Sequence, residues 1–125
     1  MTKFDRESFI GACLDALGEG DDAHRAIHEL VRRVVSDPPG ISGAVGECTV
    51  SPMMRTWFCS DELTVLHIVW PPGVELFAHD HNMWASIGIY GGREDNQFFR
   101  RAADGSIVAT QASTLRAGDA VRLGR

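Results

Sequence analysis

The hydrophobic period of this chain changes once, at the segment from Asp37 to Gly40. Before this segment, apolar residues recur at helix-face spacings, and Gly18 and Gly20 divide them between two predicted helices. The two prolines inside the segment are expected to stop the second helix, because proline cannot donate to the helical hydrogen-bond ladder. After it, short β-branched and aromatic runs alternate with turns of Gly, Pro, Asp and Ser. The sequence therefore predicts a helical N-terminal part in front of a body made of strands.

Many short strands at regular spacing are typical of a sandwich or a barrel. Residues 1–40 are predicted to form a short helical cap and residues 41–125 a β-barrel, so the fold class is all-β. Residues 94–96 are predicted to form a turn, because Asp and Asn bond readily to nearby backbone. The predicted strands cover residues 45–50, 54–59, 63–69, 74–79, 84–90, 97–102, 106–110, 112–115 and 119–123.

Composition argues against two classes of partner. The net charge is -5 and the dense basic runs are short, so we expect no nucleic acid partner, which would need clustered Lys and Arg. No apolar run reaches the roughly 20 residues that a membrane span needs, and the N-terminal residues lack the apolar core of a signal peptide. The cysteines show no Cys-x-x-Cys spacing. Reduced thiols and a cytoplasmic location are therefore expected.

The pair His79 and His81 carries the strongest chemical signal. Side chains alternate along a strand, so both imidazoles are expected on one face, where they can share a divalent metal ion. Met83 and Trp84 follow at once and would supply the apolar wall that a dry, substrate-sized site needs. The His-x-His spacing alone is weak evidence, and hydrogen-bonded surface histidines are the alternative.

Gly73, five further residues, His79-x-His81 and then Gly92 follow the spacing of a known motif. This stretch resembles the first motif of the cupin superfamily. The glutamate that the motif places three or four residues after the second histidine is absent here. In that respect the chain resembles the cysteine dioxygenase-like branch of the superfamily, whose iron is held by three histidines. The resemblance covers about residues 55 to 125.

The resemblance implies a double-stranded β-helix, or jelly-roll, and a metal-dependent oxygenase. The reaction would be that of an Fe(II) thiol dioxygenase, with O2 and a small cysteine-like or mercapto-acid thiol as substrates and a sulfinic acid as product. It implies that His79 and His81 are metal ligands, with iron foremost and nickel, manganese or zinc as alternatives. It also implies that Arg55 anchors a substrate carboxylate, against the alternative of an exposed strand arginine. Trp84 and Tyr90 could line the substrate pocket, although strand aromatics more often serve packing.

Residues 117–123 resemble the beginning of the second cupin motif, which supplies a third histidine in that family. No histidine follows before Arg125, so the chain is interpreted as a shortened form of a longer protein. A barrel without its last strands leaves sheet edges unpaired, which favours pairing between copies of the chain as a homo-oligomer. The alternative function is a non-catalytic cupin module that binds a metal or a small molecule at an incomplete site.

The other histidines receive separate predictions. His67 lies in the middle of a predicted strand and is expected to be a hydrogen-bonded core or cavity-lining residue, with a replacement third metal ligand as the alternative. His24 and His28 are four residues apart on a predicted helix, a spacing that can bind metal. Nothing else in the sequence supports such a site, so both are expected to face solvent.

Overall fold

The computed structural model of the chain describes residues 4–45, 53–70, 73 and 83–123. The N-terminal part is helical, and the elements described after residue 52 are antiparallel strands. The helices are α1 (Arg6–Ala16), α2 (Ala23–Val35) and α3 (Pro38–Val45), with a 3₁₀ helix (Leu17–Asp22) between the first two. The strands are β1 (Met53–Cys59), β2 (Thr64–Val69), β3 (Ala85–Gly88), β4 (Arg93–Arg101), β5 (Ile107–Arg116) and β6 (Ala120–Leu123).

Local chemistry sets the ends of the first two helices. Asp5 caps α1, because its side chain accepts a hydrogen bond of 2.9 Å from the backbone N–H of Ser8. The chain reverses direction near Gly20, whose φ of 63° lies in the left-handed region that glycine adopts without strain. The predicted division into two helices at these glycines is therefore confirmed.

The prolines act differently from the prediction at the end of α2. This helix ends at Val35, as expected, but Pro38 is the first residue of α3. Proline fits the first position of a helix, because its missing N–H would have no partner there in any case. The strand predicted over 45–50 is wrong at residue 45, which belongs to α3. Residues 46–50 lie outside the described residues.

The described strands form three antiparallel sheets of two strands each, β1–β2, β3–β6 and β4–β5. The predicted order, helices first and strands after them, is confirmed. All-β is too narrow a description, since helices cover much of the first 45 residues. The described ranges contain no closed barrel, and the strand predicted over 74–79 lies outside them. Barrel closure therefore stays a prediction.

Two predicted boundaries in the C-terminal half are wrong. Residues 94–96 lie inside β4 and not in a turn, and the two strands predicted over 106–110 and 112–115 form the single strand β5. Asp95 explains the first difference. Its carboxylate accepts hydrogen bonds from Arg93 at 2.8 Å and from Thr114 Oγ1, its partner across the ladder, at 2.9 Å. The side chain is thus bound to other side chains instead of the local backbone.

The best-packed region lies between the first two helices and extends to β3. Cys13, Ala16 and Ile27 form its buried centre, and Trp84 packs against it just before β3. Burial raises the pKa of the Cys13 thiol to about 11, so this thiol stays protonated near neutral pH. None of the helices in the described segments is long and apolar enough to cross a membrane.

Strand β3 approaches α2 most closely at Gly88. A Cβ atom at this position would lie 2.6 Å from a methyl carbon of Val35 and 2.7 Å from one of Val31. Both distances are shorter than any van der Waals contact, so the helix and the strand can meet here only because residue 88 has no side chain.

Gly88→Ala should lower the free energy of unfolding by roughly 1–3 kcal/mol, the usual cost of overpacking a well-filled core. Urea unfolding followed by circular dichroism measures the change. Gly91→Ala is the matched control, because a Cβ there would meet nothing within 4 Å. Equal stability of the Gly88→Ala variant and the wild type would show that the helix and strand do not meet at this glycine.

Candidate functional site

The candidate site is built around His67 on the β1–β2 hairpin. Along β2, the side chains of Val65, His67 and Val69 are less exposed than those of their neighbours, so they share the inner face. The imidazole of His67 is 8% exposed. Arg55 of β1 lies directly opposite His67 in the antiparallel ladder, so their side chains are on the same face of the hairpin.

Trp57 lies on the same face, two residues after Arg55 along β1, and next to an irregularity in this strand. The register of the ladder shifts between Thr56 and Phe58, which leaves Trp57 without a pairing partner on β2. Such a bulge redirects a side chain and often lies beside functional sites. The Trp57 indole stacks on the imidazole of His67, with ring centroids 5.1 Å apart and planes inclined by 22°.

Tyr90 also contacts the imidazole of His67. Its ring centroid is 5.7 Å from that of His67, with the planes inclined by 17°. Tyr90 Oη is also 2.6 Å from His67 Nε2, a short hydrogen bond. Tyr90 follows β3 after one residue, so this bond links the β3 segment to the β1–β2 hairpin.

The imidazole of His67 is held in its neutral form. Burial lowers its pKa, because the charged form loses hydration, and the positive charge of Arg55 lowers it further. A neutral imidazole can accept a proton at Nε2. We therefore assign the phenol of Tyr90 as the donor and His67 Nε2 as the acceptor.

Two residues near the start of the chain contact the Trp57 ring of this cluster. The ring of Phe4 lies 5.9 Å from the ring of Trp57. The guanidinium carbon of Arg6, the first residue of α1, lies 5.5 Å from the centroid of the same indole, within the range of a cation–π interaction. Two arginines, Arg6 and Arg55, therefore place positive charge near the aromatic cluster.

The structure brings together some of the residues singled out by sequence and separates another. Arg55 and Tyr90 both lie next to His67, which was expected to be a hydrogen-bonded core residue and is confirmed as one. Trp84 lies elsewhere, stacked on the imidazole of His24 with centroids 4.4 Å apart. Substrate binding by Arg55, Trp84 and Tyr90 stays a prediction.

The predicted metal ligands His79 and His81 lie outside the described residues. Among the described residues, no three His, Cys, Asp or Glu side chains are grouped so that they could hold a metal ion. The alternative role of His67, as a third metal ligand, is disfavoured at Nε2, because that atom already forms a hydrogen bond with Tyr90. Metal binding by this chain therefore rests on the sequence pattern of His79 and His81.

His24 and His28 do not face solvent freely, and the prediction for them is wrong. Both are partly buried between α2 and β3. His24 Nε2 lies 2.9 Å from the carbonyl oxygen of Ala85, and His28 Nδ1 lies 2.9 Å from Ser86 Oγ. The two histidines thus hydrogen-bond consecutive residues of β3 and attach the strand to the helix.

Sequence reasoning also missed Trp57 and Arg6 as parts of the site. Trp57 could have been found, because it lies two residues after Arg55 and strand alternation places both side chains on one face. His24 and His28 could have been found, since His24, His28, Val31 and Val35 follow one another at spacings of four, three and four residues. That spacing marks one helix face.

Comparisons with known proteins add no relative. No family model, no curated protein and no solved structure matches the chain. The function has to be argued from the residues themselves.

The free energy of unfolding should fall as the pH drops from about 7 to about 5.5. Burial lowers the pKa of His28 below its ordinary 6.5, and Arg122 and Arg32 lower it further, against an opposing effect of Glu29. The unfolded chain therefore binds a proton at higher pH than the folded one, and stability is lost on acidification. Urea unfolding at a series of pH values measures the slope.

The His28→Asn variant should show a shallower slope, because the perturbed imidazole is gone. Arg25→Gln is the matched control, since Arg25 is an exposed residue of α2 that pairs with Asp22. Its slope should equal that of the wild type. An unchanged slope in the His28→Asn variant would contradict the assignment.

Proposed function

We propose that the chain binds a small carboxylate-bearing thiol beside His67 and acts as a metal-dependent oxygenase of the cupin type, an Fe(II) thiol dioxygenase. The observation that carries this proposal is the position of Arg55, which pairs with His67 across the β1–β2 ladder, while Tyr90 forms a hydrogen bond with His67. The reaction type comes from the resemblance of the His79-x-His81 segment to cysteine dioxygenase-like proteins.

Arg55 suits the recognition of a carboxylate. A guanidinium presents a planar set of donors that matches a carboxylate in two parallel hydrogen bonds. The side chain is exposed, so a ligand can reach it, and its charge affects the pKa of His67. A carboxylate bound there would offset the effect of that charge on the imidazole.

The other side chains of the cluster would shape the site and hold a proton. The Trp57 indole forms an apolar wall beside the imidazole, and such a wall excludes water and strengthens polar interactions with a substrate. The bond between Tyr90 and His67 keeps one proton between two defined atoms. Iron, when bound by His79 and His81, supplies the activation of dioxygen and thiol, and the protein keeps the reactants adjacent.

Purified chain reconstituted with Fe(II) should take up oxygen in the presence of a small carboxylate-bearing thiol. Metal analysis and an oxygen electrode measure binding and turnover. His81→Ala should lower the metal content, because the site then has one imidazole fewer. Full metal content in that variant would contradict the ligand assignment. Metal binding without oxygen uptake would favour the alternative, a non-catalytic binding module.

Arg55→Gln should lower kcat/KM for a carboxylate-bearing thiol by roughly 10- to 100-fold, the value of a hydrogen bond to a charged group. Its kcat/KM for the corresponding aminothiol without a carboxylate should stay near that of the wild type. Arg100→Gln is the matched control, an exposed strand arginine on β4. An equal loss of kcat/KM with the carboxylate-bearing thiol and with the aminothiol would show that Arg55 does not bind the carboxylate.

A further inference from the structure

Tyr90 is the only tyrosine of the chain, and its hydroxyl has an unusual neighbour for a half-buried phenol. The hydrogen bond ends on a buried, neutral imidazole and is only 2.6 Å long. A backbone carbonyl would satisfy the phenol equally well, but it could not accept the proton. His67 Nε2 can accept it, so the pair has a chemical property that a structural hydrogen bond does not require.

The ability of His67 to accept this proton matters when the phenol of Tyr90 loses an electron. A phenol that loses one electron becomes a strong acid, so the electron leaves easily only when the proton can leave with it. A base already hydrogen-bonded to the hydroxyl takes the proton over a short distance and needs no rearrangement of solvent. Burial and the charge of Arg55 lower the pKa of His67, which keeps this base unprotonated and ready at neutral pH.

We propose that Tyr90 and His67 form a proton-coupled one-electron donor. One electron passes from the phenol to a one-electron oxidant, and the O–H proton passes to His67 Nε2. The products are a neutral phenoxyl radical, an imidazolium and the oxidant reduced by one electron. When an electron returns to Tyr90, the proton returns to the phenol oxygen, so the cycle is reversible. This inference goes beyond the proposed oxygenase function and does not depend on a bound metal.

The electrostatics of the cluster favour the radical on Tyr90 over Trp57. An indole that loses an electron first becomes a radical cation. The guanidinium of Arg6 lies 5.5 Å from the Trp57 ring, and a second positive charge at that distance is disfavoured. In Tyr90 the proton leaves with the electron, so the ring stays neutral and the positive charge resides on the His67 imidazolium, beside Arg55. Trp57, stacked on His67, would carry the positive charge on its own oxidised ring.

The test uses the full chain without metal, with accessible thiols alkylated, because the exposed thiol of Cys59 would otherwise consume the oxidant. Hexachloroiridate(IV) serves as the one-electron oxidant. Stopped-flow absorbance and electron paramagnetic resonance follow the neutral tyrosyl radical. Since the chain has one tyrosine, a tyrosyl signal can come only from Tyr90, and Tyr90→Phe should lose it entirely.

The wild type should form the radical, and His67→Gln should form it about 100-fold more slowly at neutral pH, the lower range for a positioned base. Trp70→Phe is the matched control, because it removes an exposed tryptophan that lies just after β2; its rate should equal that of the wild type. A His67→Gln rate equal to that of the wild type, or a tryptophan radical in place of the tyrosyl radical, would overturn the proposal.

A measurement without any substitution covers the case in which His67→Gln does not fold. Radical formation in the wild type should be slower in D2O than in H2O, because the proton moves with the electron. The rate should also stay constant to a pH below 6.5, the ordinary pKa of histidine, and fall only when His67 becomes protonated. Equal rates in the two solvents would overturn the proposal.

Discussion

The contact between α2 and β3 is the interaction on which the other parts of the structure depend. Val31 and Val35 meet the backbone of the strand at Gly88, where only a residue without a side chain fits. His24 and His28 bind the two residues at the start of the same strand. A strand fixed along its length in this way has defined ends, and its C-terminal end leads to Tyr90. The helical part thus determines where the phenol meets His67.

Tyr90 and His67 belong to segments that are far apart in the sequence and join two different sheets. The bond is short and partly buried, so the energetic cost of breaking it includes an unsatisfied polar group in a poorly hydrated place. It therefore defines the relative position of the hairpin and the β3 segment. The same bond gives the candidate site its chemistry, because it places a neutral base next to the most acidic hydroxyl among the uncharged side chains.

Local sequence patterns predicted the helices and strands better than they predicted which side chains contact each other. Alternation in β2 predicted the inner position of His67, and the glycines near residue 20 predicted the break between helices. Tyr90 could not be predicted as a partner of His67, because it is 23 residues away and on a different part of the fold. The prediction for His24 and His28 failed because polar side chains next to the apolar face of a helix were expected to face solvent. In the structure, both histidines form hydrogen bonds with residues of β3. Residues 79 and 81, the core of the proposed metal site, lie outside the described residues and remain a prediction.

The bulge at Trp57 gives β1 a tolerance for changes in length. On its N-terminal side Arg55 pairs with His67, and on its C-terminal side Phe58 pairs with Val65. Deletion of Trp57, the residue without a partner in the ladder, would restore a regular ladder and leave the pairing of the hairpin in place. The imidazole would then lose the indole that stacks on it. A single-codon deletion in this strand would therefore alter the chemistry of the cluster while the hairpin persists, so this part of the chain can diverge in function faster than in fold.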